Sequence, residues 1–188
     1  PLGSKDSALN QSVSGSFTVQ ARGTGPGTLL IELYDASGGT ASRLVNISTR
    51  SKVGTGSDIL IAGFNLAGRG TRPLLIRGIG PGLSPFGVTG LLSDPTLQVF
   101  DDANRLVASN DNWNASLAST FTSLGAFGLP ENSKDSALLV TLNAGAAYTV
   151  WLSGAGGGVG EALLEIYEVP NLVGNGSTDI AAGDKQPP

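Results

Sequence analysis

The five residues Lys5-Asp6-Ser7-Ala8-Leu9 recur unchanged as Lys134-Asp135-Ser136-Ala137-Leu138, and the stretches that follow each copy also match. Phe17-Thr18-Val19 corresponds to Tyr148-Thr149-Val150, and Leu30-Ile31-Glu32-Leu33-Tyr34-Asp35 to Leu163-Leu164-Glu165-Ile166-Tyr167-Glu168. The offset is 129 residues (5 to 134), then 131 (17 to 148), then 133 (34 to 167). It grows only in glycine-rich turns, where added residues cost least. Such a chain is a slice of a tandem array with a period of about 130 residues, one full unit and the tail of the unit before it. Arrays of this kind build extended, non-catalytic surfaces from stacked copies.

Composition narrows the fold further. With 28 Gly and 10 Pro in 188 residues, about a fifth of the chain suits tight turns, and no collagen period accompanies them. A hydrophobic fraction of 40% is enough for a packed core. No apolar run approaches the roughly 18 residues of a membrane span, so membrane insertion is not expected. The chain has no His, Cys or Met. That excludes Ser-His-Asp and Cys-His catalysis, thiol redox chemistry, and zinc sites built from His or Cys. A lack of Cys suits a reduced compartment or export without disulfides, and leans towards export. A net charge of −4 speaks against nucleic-acid or anionic-membrane partners, which need a basic face.

Short runs rich in Val, Ile, Leu, Thr and Tyr alternate with Gly, Asn and Asp clusters. They predict strands at 15–21, 28–35, 43–49, 57–66, 72–79, 95–100, 105–109, 136–142, 147–153 and 161–168. The more continuously apolar run Asp58-Ile59-Leu60-Ile61-Ala62-Gly63-Phe64 reads as a central strand. One helix is predicted from about Asn114 to Leu124, with Leu117, Phe121 and Leu124 on one face, Asn112 or Asn114 as cap and Gly125 as stop. The fold class is therefore all-β, a β-sandwich of jelly-roll or Ig-like type with one short helix. Pro1-Leu2-Gly3-Ser4 reads as an expression-tag scar. Residues 5–42 read as the tail of the preceding repeat and 43–170 as the full unit, together one module over 5–170. Residues 5–42 are expected to supply strands that the following unit needs, or to share a sheet with it. Residues 171–188 read as linker or as the start of the next unit, since Leu172-Val173 and Ser177-Thr178 echo Leu44-Val45 and Ser48-Thr49.

The stretch Asp94-Pro-Thr-Leu-Gln-Val-Phe-Asp-Asp-Ala-Asn-Arg-Leu-Val-Ala-Ser-Asn-Asp111, followed by Leu139-Val-Thr-Leu-Asn-Ala-Gly145 and Tyr148-Thr149-Val150, resembles the bacterial pre-peptidase C-terminal type of β-sandwich. The resemblance covers about residues 94–168. It departs from the pattern at Asn104, where the family has a turn glycine, and in the added residue of Ala146-Ala147. The preceding Leu44-Val-Asn-Ile-Ser-Thr-Arg50, Ile61-Ala-Gly-Phe64 and Leu75-Ile-Arg-Gly-Ile-Gly-Pro-Gly82 are similar to repeats of very large secreted bacterial proteins. The resemblance implies an extracellular or cell-surface accessory module and carries over no catalytic residue.

Two candidate sites remain. Asp94, Asp101, Asp102, Asn104, Asn110 and Asp111 concentrate the oxygen ligands that calcium needs, six to eight of them. Asp101 and Asp102 sit in a predicted hairpin turn and Asn110 and Asp111 at the far end of its second strand, so the two groups cannot share an ion directly. Asp94, Asn110 and Asp111 form the better cluster, and ordinary turn chemistry competes with both. Trp151 is out of phase with Tyr148 and Val150, and Gln20 matches it in the other copy, so it is expected on the solvent face. There, with Tyr148 and Trp113 as further candidates, it can stack a polysaccharide or cell-surface glycan, or pack against a neighbouring repeat or the helix. Trp113, beside the helix start, is better suited to covering the core.

Other patterns point away from chemistry. Arg77-Gly78-Ile79-Gly80-Pro81-Gly82 lacks phosphate-loop spacing, and Pro81 has no N–H to give, so a plain turn is expected. Glu32 with Asp35 and Glu161 with Glu165 are carboxylate pairs of the glycosidase kind. Because Glu32 and Glu165 are equivalent and alternate with core residues, they are expected to be solvent-face charges. Asn46-Ile47-Ser48 and Asn114-Ala115-Ser116 are glycosylation sequons by pattern only. The sequence thus points to a non-catalytic module with a structural, spacer or adhesion role, or to a carbohydrate-binding module stabilised by calcium.

Overall fold

The computed structural model describes residues 7–22, 24–25, 27–33 and 45–170. In chain order the strands are β1 (Asn46–Val53), β2 (Leu60–Asn65), β3 (Thr71–Ile79), β4 (Pro95–Asp101), β5 (Leu106–Asn110), β6 (Ser136–Asn143), β7 (Ala147–Gly154) and β8 (Gly160–Glu168). They form two four-stranded sheets, ordered β1-β8-β3-β6 and β2-β7-β4-β5. First pairs with last, second with seventh, third with sixth and fourth with fifth, all antiparallel. This is a long hairpin wrapped into two sheets, so the sandwich is a jelly roll and not an Ig-like fold.

Alternation places one face of each strand between the sheets. Val53, Leu74, Ile76, Leu97, Val99, Val150, Leu152 and Leu164 are buried there. A second core lies on the outer face of the first sheet, where Leu75, Ile79, Leu83 and Leu129 pack with Phe121. Phe121 belongs to α1 (Ala118–Ser123), which follows a 3₁₀ turn at Ala115–Leu117. The Asn114 side chain accepts from the Ser116 N–H at 2.9 Å, and Gly125 ends the helix at φ 69°. Leu117 and Leu124 join Phe121 in the second core, as their spacing predicts. Burying Phe121 contributes about 1.5–3 kcal/mol of transfer free energy.

Sheet cover explains one misplaced strand. β3 is buried on both faces and reads as the continuous run Leu74-Leu75-Ile76. The run 58–64, expected to be central, instead supplies most of β2, an edge strand whose residues alternate between half-buried and exposed. The turn after β4 places Asn104 at φ 56°, and its N–H bonds the Asp101 carbonyl at 3.0 Å. Asn tolerates this left-handed conformation.

The strand expected at 15–21 does not form, nor does the described part of the one at 28–35; residues 34–35 lie outside the described residues. The reason is topological. By the internal repeat these stretches correspond to β7 and β8, and 5–9 to the start of β6. In the sandwich β6 pairs with β3, β7 with β2 and β4, and β8 with β1 and β3. None of the three pairs with another, so alone they have no ladder to join. Both sheets draw every strand from residues 46–168, which leads to an expected outcome for truncation. A chain of residues 43–170 melts cooperatively within a few degrees of the full chain by circular dichroism; loss of cooperativity would mean that residues 1–42 complete a sheet.

Candidate functional site

The repeated Lys-Asp-Ser-Ala-Leu motif enters β6 and organises one end of the sandwich. The Asp135 carboxylate is fully buried. Its Oδ1 accepts from the Gly80 N–H at 2.8 Å, and its Oδ1 and Oδ2 accept from the Gly82 N–H at 3.1 and 3.0 Å. Ser133 Oγ donates to Oδ2 at 2.6 Å, and Trp113 Nε1 donates to Ser133 Oγ at 3.1 Å. The glycine-rich loop thus does cradle a carboxyl group, supplied by the chain itself, with Gly80 and Gly82 giving the N–H groups around Pro81. A Cβ at Gly80 would collide with the Leu92 carbonyl, and one at Gly82 would lie 2.9 Å from Asp135 Oδ2. Ser136 Oγ bonds the Pro95 carbonyl and, at 2.8 Å, that of Asp111. The sequence carried a signal for Asp135 and Ser136, since the motif recurs unchanged, but gave no hint of their partners.

Beside this brace lies a buried ion pair. The Arg77 guanidinium carbon sits 4.5 Å from the Phe121 ring centre and 4.6 Å from that of Phe127. Nη2 donates to the Phe127 carbonyl at 2.9 Å, and Nη1 lies 3.5 Å from Glu165 Oε2. Tyr167 Oη donates to Glu165 Oε1 at 2.9 Å. Glu165, expected on the solvent face, is therefore buried, because Phe121 and Phe127 cover that face of the sheet. Burial lowers the Arg77 pKa, partly offset by Glu165, and raises that of Glu165 against the pull of Arg77. Burial, then the Glu165 charge, also holds the Tyr167 phenol above its ordinary value. Among the described residues Arg77 Nε and Nη1 and Glu165 Oε2 lack hydrogen-bond partners.

The predicted metal ligands serve local structure. Asp101 Oδ1 accepts from the Ala103 and Arg105 N–H groups at 3.0 and 2.9 Å, and Oδ2 from Arg105 Nε at 2.7 Å. The Arg105 N–H bond first, and then its side chain, holds Asp101 below the usual carboxylate range. Asp102 is exposed in the same turn. Asn110 Oδ1 accepts from the Ala137 N–H at 3.0 Å while its Nδ2 donates to the Asn112 carbonyl at 3.0 Å. Asp111 accepts from Asn112 Nδ2 at 3.2 Å. Asp94 Oδ2 lies 3.7 Å from Lys134 Nζ, and its Oδ1 is buried without a hydrogen bond. Among the described residues no three Asp or Glu side chains cluster as a metal site.

The aromatic candidates separate. Tyr148 is inside the sandwich, stacked on Phe64 at 5.8 Å, with its hydroxyl bonded to the backbone of Asn143. Trp113 is half-buried against Phe121 in the second core. Only Trp151 lies on the outer face of the second sheet, between Ile61 and Gln98 in register. Its ring packs 4.6 Å from that of Phe100, a neighbour the sequence did not single out. A separate groove of about 410 Å³ runs by the edges of β5 and β6, lined by Leu106, Val107, Val140 and Tyr148.

Removing single partners here leaves buried groups unmatched. Asp135→Ala is expected to cost about 3 kcal/mol or more in urea unfolding. Arg77→Met or Glu165→Met is expected to cost about 3–5 kcal/mol, and the double variant far less than their sum. The folded-state pKa of Glu165 exceeds its unfolded value of about 4.3, so its stabilising share is complete below that pH and declines as pH rises. In Arg77→Met the decline extends to higher pH; identical pH profiles for the two proteins would refute the pairing.

No known sequence family matches the chain, and no curated protein does. Among solved structures it is similar to the pre-peptidase C-terminal domain of a collagenase from Bacillus anthracis, at 12% identity and a TM-score of 0.41, over 65% of this chain and 89% of that one.

Proposed function

We propose that the chain is a non-catalytic accessory module, a repeat unit that spaces and supports other parts of a large secreted protein. One observation carries this reading. The buried polar side chains among the described residues, Arg77, Asp135, Ser136 and Glu165, all bind other parts of the same fold. Catalytic groups are aimed at a place where substrate sits; these four hold segments together. The internal repeat and the absence of Cys support placement in an extracellular array. Among the described residues no helix is long and apolar enough to cross a membrane.

A second reading has its own observation. Trp151, Phe100 and Ile61 give the outer face of the second sheet a flat apolar patch, 36% exposed at the indole, on which a sugar ring can stack. In that reading calcium, held near Asp94, stabilises the module. Tryptophan fluorescence against a polysaccharide panel, with calcium and then with a chelator, separates the two. We expect no saturable change and no shift in melting temperature on chelation. A saturable change lost in Trp151→Ala would make this a carbohydrate-binding module, and a chelator-sensitive melting temperature would restore the metal.

A further inference from the structure

We propose that residues 7–33 are the closing three strands of a second jelly roll, completed by the first five strands of a preceding copy of this fold. Three observations converge on that partner. The first is residue-by-residue correspondence: Leu9, Phe17, Val19, Ile31 and Leu33 stand where Leu138, Tyr148, Val150, Leu164 and Ile166 line the core between the sheets. The second is burial. Val19 and Ile31 are 50% and 51% exposed, whereas Val150 and Leu164 are 0% and 1% exposed. A segment that leaves so many large apolar side chains in water, at the spacing of buried ones, is a face without its cover.

The third observation names the cover. In this fold every strand that β6, β7 and β8 pair with is one of β1 to β4. Val150 lies between Ala62 and Val99, and Leu164 between Thr49 and Gly78. Residues 7–33 therefore need a strand set with the β1-to-β5 pattern. A second copy of the 46–168 sandwich does not offer it, because its own β6 to β8 already occupy those places. The fitting partner is an upstream unit that lacks its last three strands. The structural domain and the visible repeat then share one frame.

The inference rests on the tandem-array part of the proposed role, and its test is separate from the glycan titration. Residues 43–133 are placed ahead of Lys5, leaving the present chain whole behind them. In hydrogen exchange the amides of 17–19 and 30–33 are expected to slow by at least about a hundredfold, because a cooperative unit now protects them. Val19→Asp in the extended chain should abolish that protection and leave residues 46–168 unchanged. A control carries residues 134–170 in place of 5–37 and shows that the upstream unit folds when given known closing strands. If the control is protected upstream and the 5–33 version exchanges as fast as the present chain, the proposal is overturned, while the spacer role still stands or falls on the titration. If neither is protected, a grafted 43–133 does not accept closing strands at all, and the proposal fails with it.

Discussion

The Asp135 carboxylate is the contact on which this end of the sandwich depends. It takes the N–H groups of a turn leaving β3, and its own carbonyl accepts from the Trp113 N–H at 2.8 Å. The next residue, Ser136, reaches the first carbonyl of β4 and the one just after β5. Two consecutive side chains therefore join both sheets and the segment over the second core. A carboxyl group can be buried so completely because backbone N–H groups and the Ser133 hydroxyl bond it in place of water. The glycines it meets are constrained in turn, since a side chain at Gly82 would strike the carboxylate and one at Gly80 the Leu92 carbonyl.

Arg77 and Glu165 show a different balance. Two phenyl rings and a phenol surround the pair, yet three of its polar atoms lack hydrogen bonds. An ion pair in that state adds little net stability, because desolvation offsets its Coulomb attraction. What it does impose is geometry. A planar guanidinium between Phe121 and Phe127 admits one placement of the segment covering the outer face of the first sheet.

Much of the fold was legible in the sequence, and the failures have definite causes. Strands such as Pro95–Asp101 announce themselves by alternation, and the helix by Asn114, Gly125 and the Leu117, Phe121, Leu124 spacing. The jelly-roll order was not legible, because it rests on pairings such as Asn46 with Tyr167 across most of the chain. Glu165 was misjudged because an acidic residue alternating with apolar ones looks the same under solvent or under a covering segment. Phe17-Thr18-Val19 failed as a strand for the opposite reason: its pattern is that of a strand, but a strand exists only in a ladder. At the candidate site, the outward phase of Trp151 could be read, whereas its contact with Phe100 depends on the pairing of β4 with β7.

The pairing of β1 with β8 has a mechanical consequence. Asn46 opens the unit and Tyr167 nearly closes it, and the two are directly opposed in one antiparallel ladder. Chain therefore arrives and departs about 5 Å apart, at the same corner of the sandwich. Tension along a row of such units pulls β1 away from β8 one hydrogen bond at a time, instead of shearing the whole ladder at once. β1 is an edge strand with only Val53 fully in the core, so it yields first. Were such domains set in a row, each would lengthen under load by peeling at this ladder, releasing chain length before its core strands give way.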